Sequence, residues 1–87
     1  MSPEAVLEEI KRLTRLNRLI LRSHARERMK VRHVKLGDIR CALLSASSAR
    51  WQHEQETWRI EGGRDLDEDD LVVIVALEAD VIIVTVF

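Results

Sequence analysis

Apolar residues recur at intervals of three and four in the first part of the chain, which is the spacing of one helix face. Ser2 and Pro3 are typical of a helix start, because a serine hydroxyl caps the first turn and proline lacks only an N–H group that has no partner there. The pattern predicts a first helix over Pro3–Leu16, and Asn17 is its expected end. The inward face of this helix consists of Val6, Leu7, Ile10 and Leu13.

Two further helices are predicted before the pattern changes. Leu19–Leu21 either prolongs the first helix or forms a short extended connection, and we favour a break there. A second helix is predicted to begin at His24, with Ser23 as its cap, and to end at Arg32. A third helix is predicted over Asp38–Ala46, and its inward face consists of Ile39, Ala42, Leu43 and Ala46.

After the third helix the apolar positions alternate or form continuous runs, which is typical of strands. Gln55 and Glu56 predict a hairpin turn, and the acidic stretch 66–70 predicts a surface loop. The predicted strands cover Arg50–Glu54, Thr57–Gly62, Leu71–Leu77 and Val81–Phe87. Helices followed by a run of strands indicate an α+β fold with two to three N-terminal helices packed on a roughly four-stranded antiparallel sheet. We expect residues 1–87 to form a single domain.

Charge is distributed unevenly along the chain, although the formal net charge is only −1. Residues 11–40 carry eleven Lys and Arg against two acids, a net charge of +9, whereas residues 54–80 carry a net charge of −8. A basic half attracts nucleic acid or an acidic partner, and the alternative is that the two halves neutralise each other in the fold.

The chain shows no sign of export or membrane insertion. Cys41 is the only cysteine, so an internal disulfide is excluded, and the start of the chain lacks a signal pattern. The apolar run Leu71–Leu77 is far shorter than a membrane span. We therefore expect a cytoplasmic protein without membrane association, and for a chain this small a homodimer is one source of added stability.

The second predicted helix carries the candidate chemistry. His24, Arg28 and Arg32 are four residues apart and share one helix face, while Ala25 and Met29 form a second, apolar face. Metal-free cleavage of a phosphodiester needs a proton carrier near neutral pH and fixed positive charges beside it, which an imidazole and guanidiniums supply. A solvated basic face on an amphipathic helix explains the same spacing, and both interpretations stay open.

Several segments combine in a distinctive order along the chain. They are His24-Ala25-x-x-Arg28-Met29-x-x-Arg32, the helix start at Asp38-Ile39, the stretch Trp58-Arg59-Ile60-x-Gly62, and the strands at 71–75 and 81–86. This order resembles a widespread family of small uncharacterised bacterial proteins. That family is similar to the RelE/ParE/MqsR-like toxin superfamily, in which N-terminal helices pack on an antiparallel sheet. The resemblance covers residues 19–87.

The resemblance implies the toxin of a bacterial toxin–antitoxin pair, a metal-independent ribonuclease that acts on RNA, including ribosome-bound mRNA, and is held inactive by its antitoxin. It assigns the role of proton donor or acceptor to His24 and phosphate binding to Arg28, Arg32 and Arg59. Thr85, the only polar side chain within the last strand, is the remaining catalytic candidate. No cofactor and no metal ion are expected.

Other classes of protein remain open. The chain is alternatively a catalytically inactive protein–protein interaction module that pairs through a sheet edge, a ParE-like inhibitor of gyrase, or a binder of duplex DNA. A metal site is a further alternative, but the spacing of its ligands is unlike that of known zinc sites. The candidate ligands are His24, His33, His53 and Cys41.

The tryptophans have two interpretations that also affect Arg59. Trp51 and Trp58 either stack an unpaired base or belong to the core. Side chains alternate between the faces of a strand, so Arg59 should point away from the neighbouring Trp58. If Trp58 packs on the helices, Arg59 lies on the opposite, open face of the sheet.

Overall fold

The computed structural model describes residues 1–87 and contains three helices and one five-stranded sheet. The helices are α1 (Pro3–Arg15), α2 (Ser23–Arg32) and α3 (Leu36–Ser45). The strands are β1 (Leu19–Leu21), β2 (Ser48–Gln52), β3 (Thr57–Glu61), β4 (Val73–Leu77) and β5 (Val81–Val86). The predicted α+β class is confirmed. None of the helices has the length and apolar character that crossing a membrane requires.

The sheet is mixed, which corrects the prediction of a four-stranded antiparallel sheet. Its strand order is β1-β5-β4-β3-β2. Strands β2 to β5 form the predicted antiparallel meander, and β1 adds a parallel strand in which Leu19 pairs with Val81 and Leu21 with Ile83. Three apolar residues are too few for their period to separate a strand from a helix, so tertiary pairing with β5 decides the structure of β1.

The start of α1 follows the prediction, whereas the start of α2 does not. The Ser2 hydroxyl accepts a hydrogen bond from the Ala5 N–H at 3.1 Å. The predicted cap of α2 is wrong, because Ser23 is already helical and the cap residue is Arg22, which makes no side-chain capping bond. The Arg22 N–H donates to the Ile83 carbonyl, so the chain stays extended to Arg22 and turns into the helix directly after it.

Asp38 joins the start of α3 to the acidic loop. Its carboxylate accepts hydrogen bonds from the N–H groups of Lys35 at 2.9 Å and Leu66 at 3.0 Å, and the residue is buried. α3 consequently begins at Leu36, ahead of the predicted start at Asp38. The hydrogen bond from Lys35, then that from Leu66, hold the pKa of the Asp38 carboxyl below its ordinary value of 3.8.

Replacing Asp38 with alanine should lower the free energy of unfolding at pH 7 by about 2 kcal/mol, because two backbone N–H groups lose a charged acceptor. The folded pKa lies below the unfolded one, so the carboxylate stabilises the fold above pH 3.8 and loses this effect as the pH falls through the folded pKa. Urea unfolding at pH 7 and at pH 3 tests this. An equal difference between wild type and D38A at both pH values would contradict it.

One face of the sheet packs against α1 and α3 and forms the hydrophobic core. The helices contribute buried residues such as Ile10 and Ile39, and Ala25 of α2 joins the same core, with Met29 packed against it. The apolar face predicted for the second helix is therefore confirmed. Trp58 also packs against this core. The fully buried side chains of β4 and β5 are Val73, Val75, Val81, Ile83 and Val86.

A β-bulge in β5 changes which of its side chains face the core. Val75 pairs with Ile83, but Ile74 pairs with Thr85, so Val84 is an extra residue without a partner on β4. Ile83 is fully buried, and strict alternation would bury Thr85 next to it. The bulge instead places Val86 in the core and turns Thr85 toward the opposite face of the sheet. We call this opposite side, away from α1 and α3, the open face.

Candidate functional site

A cavity of about 320 Å³ lies on the open face. Thr57 and Arg59 of β3 and Ile74 of β4 line it, because they alternate along their strands with side chains that face the core. We call it the sheet cavity. Its other lining residues are His24, Gln52, Gln55, Val84, Thr85 and Phe87.

α2 brings His24 to the sheet cavity. The helix packs against β5, and Ala25 points into the core. Successive residues of a helix are rotated by about 100° from one another, so the side chain of His24 points in a different direction from that of Ala25. It lies at the wall of the sheet cavity. The imidazole is exposed and can therefore exchange protons with a substrate or with water.

Two guanidiniums lie near the ring of Phe87. The Cζ atom of Arg59 is 5.6 Å and that of Arg28 is 6.0 Å from the ring centroid. Cations at this distance are attracted to the ring, so Phe87 helps to position both side chains. Because Phe87 lines the sheet cavity, Arg28 lies at the edge of that cavity.

The guanidinium of Arg59 is also oriented by a carboxylate. Its Nε–H donates to Glu61 at 3.0 Å, and Glu61 lies 3.5 Å from the guanidinium of Arg50, the cross-strand partner of Arg59. This hydrogen bond uses Nε and leaves the terminal amino groups of Arg59 available. Two such groups can bind two oxygens of one phosphate.

The hydroxyl of Thr85 is buried and has no hydrogen-bond partner. An unpaired buried hydroxyl destabilises a fold by about 1–3 kcal/mol, so its presence needs an explanation. Thr85 lines the sheet cavity, and its hydroxyl oxygen is covered beneath the wall of that cavity. Nearby Thr57 differs, because its hydroxyl lies 3.3 Å from the amide oxygen of Gln52.

The five predicted site residues are only partly brought together. His24, Arg59 and Thr85 line one cavity, and Arg28 lies at its edge. Arg32 lies one turn beyond Arg28, is exposed, and does not line the cavity. The position of Arg59 opposite Trp58 agrees with the conditional prediction from strand alternation, since Trp58 packs against the core.

Sequence reasoning missed the glutamines of the sheet cavity. Gln52 ends β2 and Gln55 lies in the hairpin turn. The sequence does indicate this polar surface, because polar residues occupy every second position along β2 and β3 and therefore lie on one face of the sheet. They are Arg50 and Gln52 on β2, and Thr57, Arg59 and Glu61 on β3.

The six cations from Arg22 to Lys35, on α2 and on either side of it, form no salt bridge. The five salt bridges of the structure involve arginines 12, 18, 50, 59 and 64. None involves the six cations between residues 22 and 35, a stretch in which Glu27 is the one acid. The positive charge predicted for this part of the chain is therefore not neutralised by ion pairing within the fold.

The tryptophans lie outside the sheet cavity. The ring centroids of Trp51 and Trp58 are 5.1 Å apart, and both side chains line a separate cavity together with Met1 and Pro3. Histidine, cysteine and acidic side chains nowhere form a group of three or more that could hold a metal ion.

Residues 21–87 match the model of a family described as a domain of unknown function, DUF4258. The chain belongs to the DUF4258 family. The DUF4258 segment contains every residue of the sheet cavity, whereas α1 precedes it. No curated protein and no solved structure matches the chain. The expected membership in an uncharacterised family is confirmed.

Proposed function

We propose that the protein is a metal-independent ribonuclease and the toxin of a bacterial type II toxin–antitoxin pair. The observation that supports this most is the sheet cavity, where α2, β3 and β5 place His24, Arg59 and Thr85 together. These side chains come from distant parts of the chain. They supply a proton carrier, a fixed cation and a hydroxyl donor, which are the groups that RNA cleavage uses.

In the proposed reaction the 2′-hydroxyl of a ribose attacks the adjacent phosphate and the 5′-oxygen of the next nucleotide leaves. The products are a 2′,3′-cyclic phosphate and a free 5′-hydroxyl. His24 accepts the proton of the 2′-hydroxyl while water protonates the leaving 5′-oxygen, or His24 protonates the leaving 5′-oxygen while water accepts the proton of the 2′-hydroxyl. Arg59 binds the phosphate through its terminal amino groups, and Arg28 adds positive charge at the edge of the cavity. When the Thr85 side chain rotates to expose its hydroxyl, that group donates to a phosphate oxygen and so obtains the partner it lacks.

The charge of α2 favours RNA as the substrate. Arg28 and Arg32 continue from His24 along one face of the helix, and neither forms a salt bridge. Unpaired cations attract a phosphate backbone and guide it toward the adjacent cavity. Arg32 therefore keeps a role in binding RNA outside the cavity. Cleavage should weaken steeply with added salt.

The proposal includes kinship with the RelE/ParE/MqsR-like superfamily, a cognate antitoxin, and action on RNA in the cytoplasm. It is supported by three helices preceding an antiparallel meander and by a histidine and arginines beside the open face. An inactive interaction module and a ParE-like gyrase inhibitor are the outcomes that the experiment below would favour instead.

The decisive experiment measures RNA integrity in two settings. Induction of the protein in a bacterial host should arrest growth and fragment RNA. The purified protein should cleave the same RNA in the presence of EDTA, and an H24N variant purified in parallel controls for a contaminating nuclease. Intact RNA with folded wild-type protein would overturn the proposal, as would cleavage that EDTA abolishes. Growth arrest with intact RNA would favour the gyrase inhibitor.

Replacing Thr85 with valine should separate stability from activity. Valine has the shape of threonine without the hydroxyl, so the free energy of unfolding should rise by about 1 kcal/mol while RNA cleavage falls. Thr57→Val is the matched control and should destabilise, because Thr57 has a partner in Gln52. Urea unfolding and a cleavage assay check both variants. A T85V protein that is less stable than wild type would show that the hydroxyl is paired.

A further inference from the structure

A second cavity, of about 490 Å³, lies between β1, α2 and the segment that joins α2 to α3. It shares no residue with the sheet cavity. We call it the basic groove. Its apolar lining consists of Leu21, Met29 and Val34. Its basic lining consists of Arg26, Lys30, His33 and Lys35.

The basic groove has no acidic side chain in its lining. Arg26, Lys30 and Lys35 form no salt bridge. Arg26 and Lys30 are four residues apart on α2, on a different side from the face shared by His24 and Arg28. A ligand that complements the basic groove therefore has an apolar group with negative charges on either side of it.

A free sheet edge borders the basic groove. Arg18 and Arg22 flank β1 and both direct backbone groups toward β5, because the Arg22 N–H donates to Ile83 and the Arg18 carbonyl accepts from Val81. The backbone groups of Leu19 and Leu21 consequently point to the outer side of β1, which is the end strand of the sheet. Unpaired groups along such an edge can accept a further strand.

We propose that the basic groove and the outer edge of β1 bind an acidic, extended segment of a partner protein. The segment adds to β1 as a sixth strand through backbone hydrogen bonds. One of its apolar side chains enters the groove against Leu21 and Met29, and its carboxylates pair with Arg26 and Lys30. The adaptable thioether of Met29 suits a site that accepts an apolar side chain of a partner.

A polypeptide fits these features better than RNA does. The apolar lining is aliphatic, so the one ring on which a base could stack is the small imidazole of His33. The open edge of β1 presents the alternating donors and acceptors that another peptide backbone complements. The inference does not depend on ribonuclease activity, because it uses none of the residues of the sheet cavity.

An NMR titration of the ¹⁵N-labelled full chain tests the proposal. The probe is a synthetic peptide with the sequence of residues 65–72, Asp-Leu-Asp-Glu-Asp-Asp-Leu-Val, which combines acidic and apolar residues. The peptide should shift the amide signals of the labelled protein chiefly at Leu19–Leu21 and around the basic groove. The double variant R26E/K30E should bind the peptide at least about tenfold more weakly. K11E/R15E, with the same change of charge on α1, is the matched control and should bind as wild type.

Four outcomes would overturn the inference. The first is the absence of localised shifts at millimolar peptide, and the second is equal binding of a peptide whose acids are replaced by their amides. The third is a uridine decamer that shifts the groove residues more than the peptide does, which would assign the groove to RNA. The fourth is a set of groove shifts that grow with the concentration of the chain alone, which would assign it to a second copy. Cleavage assays on the same samples report separately on the proposed ribonuclease.

Discussion

Replacing His24 with asparagine should lower the rate of RNA cleavage by about 10²- to 10⁴-fold, the range that one positioned proton carrier supplies. Asparagine retains hydrogen-bonding capacity but cannot exchange a proton near neutral pH. His24 is the one histidine that lines the sheet cavity, so no neighbouring imidazole there can replace it. The measurement is the initial rate on a defined RNA oligonucleotide at saturating enzyme.

His33→Asn is the matched control for this variant. His33 ends α2 in a left-handed conformation that asparagine adopts readily, and it lines the basic groove, away from the sheet cavity. H33N should therefore cleave RNA at the wild-type rate. Equal losses in H24N and H33N, or full activity in H24N, would remove His24 from the proposed chemistry.

Replacing Arg59 with methionine should lower the cleavage rate by about 10²- to 10³-fold, as expected when one preorganised charge donor at a transition state is lost. Methionine keeps much of the aliphatic length of arginine and can pack against Phe87 without the charge. The loss should appear mainly in kcat, because charge on the phosphate increases as the reaction approaches its transition state.

Arg50→Met provides a close comparison. Arg50 is the cross-strand partner of Arg59 and lies 3.5 Å from the same Glu61, but it does not line the sheet cavity. R50M therefore removes one positive charge from the same region of the sheet and should change cleavage less than threefold, an effect of about 0.6 kcal/mol on the barrier. A similar loss in both variants would indicate a general effect of charge and would contradict a specific role for Arg59.

Hydrophobic periodicity predicted the long elements, but for the short segment Leu19–Leu21 it left a helix and an extended connection open and did not predict the pairing with β5. The apolar residues of α1 repeat over three turns, and those of β4 and β5 form uninterrupted runs, so each pattern has one simple structural interpretation. Leu19–Leu21 contains too few residues to define a period. Its place beside β5 depends on a partner some sixty residues away, as the pairing of Leu19 with Val81 shows, and local sequence contains no record of that partner.

The candidate site was predictable where it follows from the geometry of a single element. The spacing of His24 and Arg28 predicts their shared helix face, and strand alternation predicts that Arg59 points away from Trp58. Thr85 depends on the bulge at Val84, because alternation from Val81 and Ile83 would have placed the Thr85 hydroxyl in the core. The residues of β5 are similar in shape, so the sequence does not indicate which of them is the extra residue of the bulge.

The pairing of β1 with β5 affects when the candidate site can form during protein synthesis. α2 follows β1 directly, and its contacts with the sheet are chiefly with β5. A nascent chain that has not yet emerged as far as residue 86 therefore has no surface against which to place His24 beside Arg59. Closing such a long loop is slow compared with forming a helix or a hairpin. We expect the sheet cavity to stay unassembled until β5 has left the ribosome and paired with β1 and β4, so that this one pairing step completes both the fold and the site.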